Sequence, residues 1–374
     1  MADEQSESRK AFHELLDLFR ALDQQYLGPD WLISSPSDVG EGVRAVMHLL
    51  QGGLVSYFDD DSDHPIFRRI VSSTRKFTGD NADTLYYDAP VSPERVYRIR
   101  GNTAGACYVS LTVEAGARDG RFGSRTAGAI NDTEFTVTAD GTFEIVVGGP
   151  ERSKDWLALP PDAARITTRH YYEEERARAA DTTPCVPLSI EVVGETLPAP
   201  ESYTDASVAA GIRRVINFVE TRTLGMGRPG TREQPAFVSK VPNQFVPPVK
   251  PGDFALAAVD AAYSMAMVVL GPEEALVIRG RWPKCRFANL SLWNRHMQTF
   301  DYAHRRVSLN RKQTVLEKDG SFRMVIAHRD PGLPNWLDTE GRGFVMAFWR
   351  FMLPDGEIVT PMAEVLPFSE ILKR

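Results

Sequence analysis

The chain has 374 residues, 43% of them hydrophobic and 25% charged, which is the composition of a folded protein with a real core and not of a disordered, collagen-like or coiled-coil chain. Forty-three basic residues against fifty acidic ones leave a net charge of −7, so nothing invites a phosphate backbone and nucleic acid is not an expected partner. No run of eighteen apolar residues is present to span a bilayer, so a soluble protein with no membrane partner is expected.

The first expected helix runs over residues 8–27, where Phe12, Leu15, Leu16, Phe19, Leu22 and Tyr26 recur at helical spacing until Gly28-Pro29 stops the pattern. A second starts near Asp38, with Val39, Val43, Val46, Met47 and Leu50 on one face, and ends at Gly52-Gly53. The acidic stretch from Asp59 to Pro65 lacks the spacing and closing Glu of a calcium loop and is expected to be a solvated turn. From Tyr86 to Tyr172 the period changes to two, in runs such as Tyr108 to Val113 and Phe143 to Val147, which predicts antiparallel strands. Residues 205–224 return to helical spacing behind Thr204 or Asp205 as N-cap, and a proline-rich stretch from Pro242 to Pro251 leads into a second strand-rich region.

Three cysteines, Cys107, Cys185 and Cys285, are far apart and odd in number, which excludes a disulfide framework; each is read as a small buried or half-buried hydrophobe. The segment Met1 to Ser8 is acidic and polar, without the basic and apolar parts of a secretory leader, so a cytoplasmic location is expected.

An internal repeat organises the chain. Ile99-Arg100-Gly101 recurs as Ile278-Arg279-Gly280, and at the same offset of 179 Asn131 meets Asn310, Asp140-Gly141 meets Asp319-Gly320 and Phe143 meets Phe322. Nine of thirty-three pairs in the windows 99–113 and 130–147 are identical, where chance gives roughly two. One residue later, Asp155-Trp156-Leu157 pairs with Asn335-Trp336-Leu337. Each copy reads as a strand, an Asp-Gly hairpin turn, a strand, and a loop whose Trp precedes a long final strand. The expectation is a mostly β protein with a helical N-terminal extension and two tandem, related β-sandwich or jelly-roll-like units joined by a helix. The boundaries are 1–74 for the extension, 75–200 for the first unit, 201–252 for the connecting helix and linker, and 253–374 for the second unit.

Within this plan Gly79-Asp80-Asn81-Ala82-Asp83-Thr84-Leu85-Tyr86 resembles the N-x-D-T-L-Y signature near the start of domain of unknown function 1254. The segment from Asn310 to Trp336, with Asp319-Gly320, His328 to Gly332 and Asn335-Trp336-Leu337, is similar to its usual partner, domain of unknown function 1214, although Ser308-Leu309-Asn310-Arg311 departs from the usual run there. Together the two resemblances cover most of residues 75–370. They imply a two-module β-rich fold and bring no activity with them.

Motifs for common chemistries are absent: there is no P-loop, H-E-x-x-H or G-x-S-x-G, and Gly225 to Gly230 matches G-x-G-x-x-G only after a helix, where a dinucleotide site needs a preceding strand. His328-Arg329-Asp330 places an imidazole and a carboxylate on one face of a strand, as an iron triad does, but no later histidine follows and His296 or His304 would have to complete it. A His–Asp pair closing a strand end is the simpler reading, and no metal or cofactor is assigned. Trp156 with Trp336 and Asn131 with Asn310 agree between copies and read as scaffold. His328 stands opposite Gly149, Trp293 and Arg295 opposite Glu114 and Gly116, and Arg350 opposite His170, so the second copy reads as the specialised one. On residues 287–295, Phe287, Asn289, Ser291, Trp293 and Arg295 share a face that is either a pocket wall or a sheet face covered by the N-terminal helices. Asn81, Asp83, Tyr86 and Tyr87 form a second cluster, able to serve acid/base chemistry or simply a turn.

These residues predict an intracellular enzyme without an organic redox cofactor, acting by acid/base side chains, as a hydrolase or lyase does, on a largely apolar or aromatic small molecule. Asp83, Tyr86, His328 and Asp330 are the acid/base candidates; Asn81, Tyr87, Trp293, Arg295, Trp336 and Arg350 are the binding candidates. The alternative is a sandwich that binds a small molecule or carbohydrate without catalysis, its aromatic residues exposed in a row. Self-association through the N-terminal helices is a further expectation.

Overall fold

The computed structural model describes residues 6–182, 186–252 and 257–373, so the reading of Cys185 falls outside the described residues. Ser6 accepts the Arg9 amide and starts helix α1 (Glu7–Ala21). Helix α2 (Pro36–Gly53) opens on a capping box between Ser35 and Asp38, with Pro36 at a position where no amide is needed. Helix α3 (Asp205–Thr221) opens on a second box, Thr204 with Ser207. Leu18 of α1, Leu22 and Tyr26 just after it, Val46 and Leu49 of α2, and Phe218 and Val219 of α3 share one core. The three helices therefore form one layer, although their sequences lie on both sides of the first set of strands.

The first set is β1 (Arg68–Arg69), β2 (Thr84–Pro90), β3 (Tyr97–Asn102), β4 (Tyr108–Ala115), β5 (Arg125–Asn131), β6 (Thr142–Val147), β7 (Trp156–Leu157), β8 (Ala163–Tyr171) and β9 (Leu188–Val192). The second is β10 (Ala261–Val269), β11 (Glu274–Gly280), β12 (Phe287–Trp293), β13 (Ser308–Asn310), β14 (Phe322–Ala327), β15 (Trp336–Asp338), β16 (Phe344–Met352) and β17 (Met362–Pro367). Strands of the first set form a five-stranded sheet, β1-β2-β8-β4-β5, and a four-stranded sheet, β7-β6-β3-β9. Those of the second form β10-β16-β12-β13 and β15-β14-β11-β17, the same order apart from the short edge strand β1.

Each pair of sheets is held by its own core. Val109, Leu111 and Val113 of β4 meet Ile99 of β3 and Ile145 of β6 in the first unit. Leu290 and Leu292 of β12 meet Ile278 of β11 and Met324 of β14 in the second. The architecture is mostly β, with N-terminal helices and two two-sheet units. The Asp-Gly turns carry the expected positive φ, +85° at Gly141 and +80° at Gly320. The two matched tryptophans make the same bond: Trp156 Nε1 donates to the Gly148 carbonyl at 2.9 Å and Trp336 Nε1 to that of Ala327 at 3.1 Å.

One expectation is refined and one corrected. The stretch from Asp59 to Pro65 is largely solvent-facing, as expected, but carries ion pairs: Asp60 meets the buried Arg165, while the more exposed Asp61 meets His64 and Asp63 meets Arg95. Register overturns the pairing of Arg350 with His170. Arg169 stands across from Ser110 and Tyr86 in the first unit, as Arg350 stands across from Asn289 and Tyr263 in the second. The equivalent of Arg350 is therefore Arg169, and the two copies carry the same residue there.

Candidate functional site

In β4 the face opposite the core carries Tyr108, Ser110, Thr112 and Glu114; in β8 it carries Arg165, Thr167, Arg169 and Tyr171. Such a polar face normally meets water. Here it meets the corresponding face of the second unit: Tyr108 and Tyr171 pack in one cluster with Tyr263, Phe287, Trp293, Phe348 and Met352, and the Tyr171 and Phe287 rings are 4.9 Å apart. The two units thus join through their outer faces, and the polar groups between them are withdrawn from solvent.

The segment ahead of β2 inserts into this junction. Gly79 adopts φ +78°, its amide donates to the Met297 carbonyl at 2.7 Å, and a Cβ there would lie 3.1 Å from the Trp293 ring. Trp293 stacks on Phe348 at 4.3 Å and donates its indole N–H to the Asp80 carbonyl at 2.9 Å. Asn81 Oδ1 accepts the Asp83 amide at 2.9 Å, turning the chain into β2, while Ala82 enters the core of the second unit. Asp83, 1% exposed, accepts from Asn289 Nδ2 at 2.8 Å and from Asn310 Nδ2 at 3.2 Å. Burial pushes its carboxyl up to about 7 against the pull of these two amides, with Glu173 and Glu174 adding to the rise. Nearby, burial also raises Asp80, which Lys76 opposes, and lowers Lys76, whose Nζ donates to the carbonyls of Thr299 and Phe300 at 3.0 and 2.6 Å.

Straight across the sheet of the second unit run Asn310, Asn289, Arg350 and Tyr263; across the sheet facing it run Asn131, Ser110, Arg169 and Tyr86. Arg350 is 5% exposed and donates to the Gly79 carbonyl at 3.4 Å, yet its Nε and Nη1 are buried without a partner among the described residues. Its guanidinium carbon lies 5.1 Å from the Phe348 ring centre and 5.6 Å from that of Tyr263. Burial works against its charge, and the electrostatic influence of Tyr86, Tyr171 and Tyr263 prevails, so it stays protonated. Arg169 donates to Thr112 Oγ1 at 2.6 Å, and its charge is likewise favoured over burial. Burial raises the Tyr86 phenol above its ordinary value, with Arg350 and Arg169 pulling the other way, so at neutral pH it is a neutral donor. Two cations facing the neutral Tyr86 and Tyr171 hydroxyls in a low-dielectric setting suit an oxyanion.

Of the residues expected from sequence, the junction gathers Asn81, Asp83, Tyr86, Trp293 and Arg350. Tyr87 alternates to the other face of β2 and packs in a cluster with Leu85 and Tyr172. Arg295 reaches the helical layer, bonding the Leu32 carbonyl and pairing with Asp38 at 3.0 Å. His328 and Asp330 follow β14, the second in a turn. Both His328 nitrogens are engaged, Nδ1 with Thr339 at 2.7 Å and Nε2 with the Gly271 carbonyl at 3.1 Å, while Asp330 accepts the Gly332 amide. Trp336 packs with Val277 and Val325 away from the junction. His296 bonds Tyr26 and His304 faces Asp301, and among the described residues no three of His, Cys, Asp or Glu converge as a metal-binding group.

Arg169, Tyr171 and Tyr263 escaped the sequence reading. The signal was present: the correct offset is 177 on the first long strand and 181 on the last, where Tyr86 matches Tyr263 and Arg169 matches Arg350, and a fixed offset hides both pairs.

Residues 275–356 match the family described as protein of unknown function (DUF1214), a segment that contains Asp319-Gly320 and Asn335-Trp336-Leu337. No curated protein matches the chain. Among solved structures, an uncharacterised protein from Burkholderia cenocepacia is similar over 97% of this chain and 98% of its own, with a TM-score of 0.82 at 24% identity, so the whole fold is shared. The VPA0106 protein from Vibrio parahaemolyticus, 12% identical, covers 86% of this chain and 100% of its own with a TM-score of 0.47.

Proposed function

We propose that the protein is an enzyme acting by acid/base side chains, without an organic redox cofactor, on a small and largely apolar or aromatic molecule that carries an anionic group and lodges between the two β units. The observation that carries this reading is Arg350, a buried cation with two N–H groups unpartnered among the described residues, set among three phenols. The Trp293 and Phe348 stack supplies apolar wall and Arg350 orients the anion. Tyr86 retains accessible surface while Arg169, Tyr171, Tyr263 and Arg350 are buried, so it is the proton donor in this reading. Asp83 acts through Asn289, the strand neighbour of Arg350, as a positioning residue. The proposed unit boundaries are 75–200 and 253–374, and the free thiols of Cys107 and Cys285 suit a reducing, cytoplasmic setting.

Binding without catalysis is the second reading, favoured by one observation: both Asp83 oxygens already hold amide donors from the protein. A sugar platform has less support, since no tryptophan of the described residues is fully exposed and Tyr203, at 76%, lies outside the strands.

The test is a thermal-shift screen of the full chain against aliphatic and aromatic acids, their amides and soluble sugars, because a ligand held by the folded state alone raises apparent stability. Acids are expected to raise the melting temperature where their amides do not, and Arg350→Gln to remove the effect. A response confined to sugars would overturn the proposal.

A further inference from the structure

The two sets of strands do more than share an order; they meet as the halves of a two-fold dimer meet. Asp83, ahead of β2, accepts an amide from Asn310 of the other unit at 3.2 Å. Asp260, ahead of β10, accepts one from Asn131 of the other unit, also at 3.2 Å. The Asp83 carbonyl accepts the Tyr172 amide and the Asp260 carbonyl the Leu353 amide, both at 2.9 Å. Asn131 and Asn310 are also equivalent in their own turns, their amides bonding Glu134 and Gln313 at 2.9 and 3.0 Å. Residue i contacts j, and the counterpart of j contacts the counterpart of i, which is the rule of an isologous interface, here within one chain.

That relation pairs the Arg–Tyr rows. Arg350 with Tyr263 on one side answers Arg169 with Tyr86 on the other, and both arginines are held charged by the same three phenols, Tyr86, Tyr171 and Tyr263. A ligand centred between such rows meets a guanidinium and a phenol from each side. One anionic group uses half of that arrangement; two groups at opposite ends of one molecule use all of it.

We propose that the junction is a binding site for a small dicarboxylate, one carboxylate seated on Arg350 and Tyr263 and the other on Arg169 and Tyr86. This rests on the function proposed above and narrows its substrate class. Guanidinium takes carboxylate through two parallel N–H donors; among the described residues Arg350 Nε and Nη1 are without partners, and either one forms such a pair with Nη2, whose bond to the Gly79 carbonyl is long at 3.4 Å. The protein's overall negative charge does not draw dianions from solution, so recognition falls to these buried groups.

The experiment is calorimetric titration of the full chain with α,ω-dicarboxylates of two to eight carbons and with the monocarboxylates of the same length. The best dicarboxylate is expected to bind at least tenfold tighter than its monocarboxylate. Arg350→Lys and Arg169→Lys, which keep the charge and lose the fork, should each reduce that advantage at least fivefold, and Tyr263→Phe should weaken binding less. Equal affinity for both classes, still dependent on Arg350, would overturn the two-ended site and leave the anionic-substrate reading standing. Binding of neither class by the unaltered protein would overturn both. Because these comparisons begin with the unaltered chain, a variant that fails to fold does not shelter the proposal.

Discussion

Asp83 and Asp260 occupy equivalent places, each immediately ahead of the first long strand of its unit, and each holds an asparagine side chain from the other unit. They differ in depth, Asp83 being buried and Asp260 half-buried with Tyr108 donating to it. Removing an amide donor from a buried carboxyl leaves its oxygen unsatisfied, whereas water can replace a partner nearer the surface. Asn310→Ala is therefore expected to cost about 2–3 kcal/mol and Asn131→Ala about 1 kcal/mol, read as displaced urea midpoints with unchanged slopes.

The raised carboxyl of Asp83 has a signed consequence for pH. Its folded value, about 7, lies above the value of 3.8 that it has unperturbed, so folding favours the protonated form. The stability it contributes is complete below pH 4 and is lost as the pH rises through 7. Asp83→Asn removes this dependence, so the variant should gain on the unaltered chain by up to a few kcal/mol between pH 4 and 8. Urea melts at each pH measure the difference, and parallel curves for the two proteins would contradict the assignment.

At Gly79 a Cβ would meet both a left-handed backbone and the Trp293 ring. Gly79→Ala is expected to cost about 1–2 kcal/mol from the backbone alone and to displace the indole. Comparing its tryptophan emission with that of Gly79→Ala in a Trp293→Phe background isolates the response of that ring.

His328 separates scaffold from chemistry. With both nitrogens occupied at the end of β14, His328→Ala should lower stability by about 1–2 kcal/mol and leave carboxylate binding unchanged. Tyr86→Phe should do the reverse, preserving the melting temperature within a few degrees and abolishing turnover once a substrate is in hand. A loss of binding in the histidine variant would return His328 to the site.

The alternation of strands, the Asp-Gly turns, the caps of the helices and the anchoring tryptophans are local features, and periodicity exposes them. The partner of a polar sheet face is not local. The face carrying Asn289, Ser291 and Trp293 looks the same in sequence whether it meets water, helices or a second sheet, and only the fold shows that it meets the face carrying Ser110 and Arg169. Asn81, Asp83 and Tyr86 were visible as a cluster of chemical types, while the distance from them to His328 was not. Arg169 was hidden for another reason: loops of unequal length shift the repeat between its first and last strands, so a single offset aligned Arg350 with the wrong neighbour.

The reciprocal contact of Asp83 with Asn310 and of Asp260 with Asn131 is made between parts of one polypeptide. In a pair of separate subunits such a contact weakens with dilution and binds both halves to one sequence. A tether fixes the effective concentration of each half at the other, so melting should not depend on protein concentration. It also lets a substitution fall on one side alone, and Ser110 facing Asn289 across the junction's symmetry is what such freedom leaves behind.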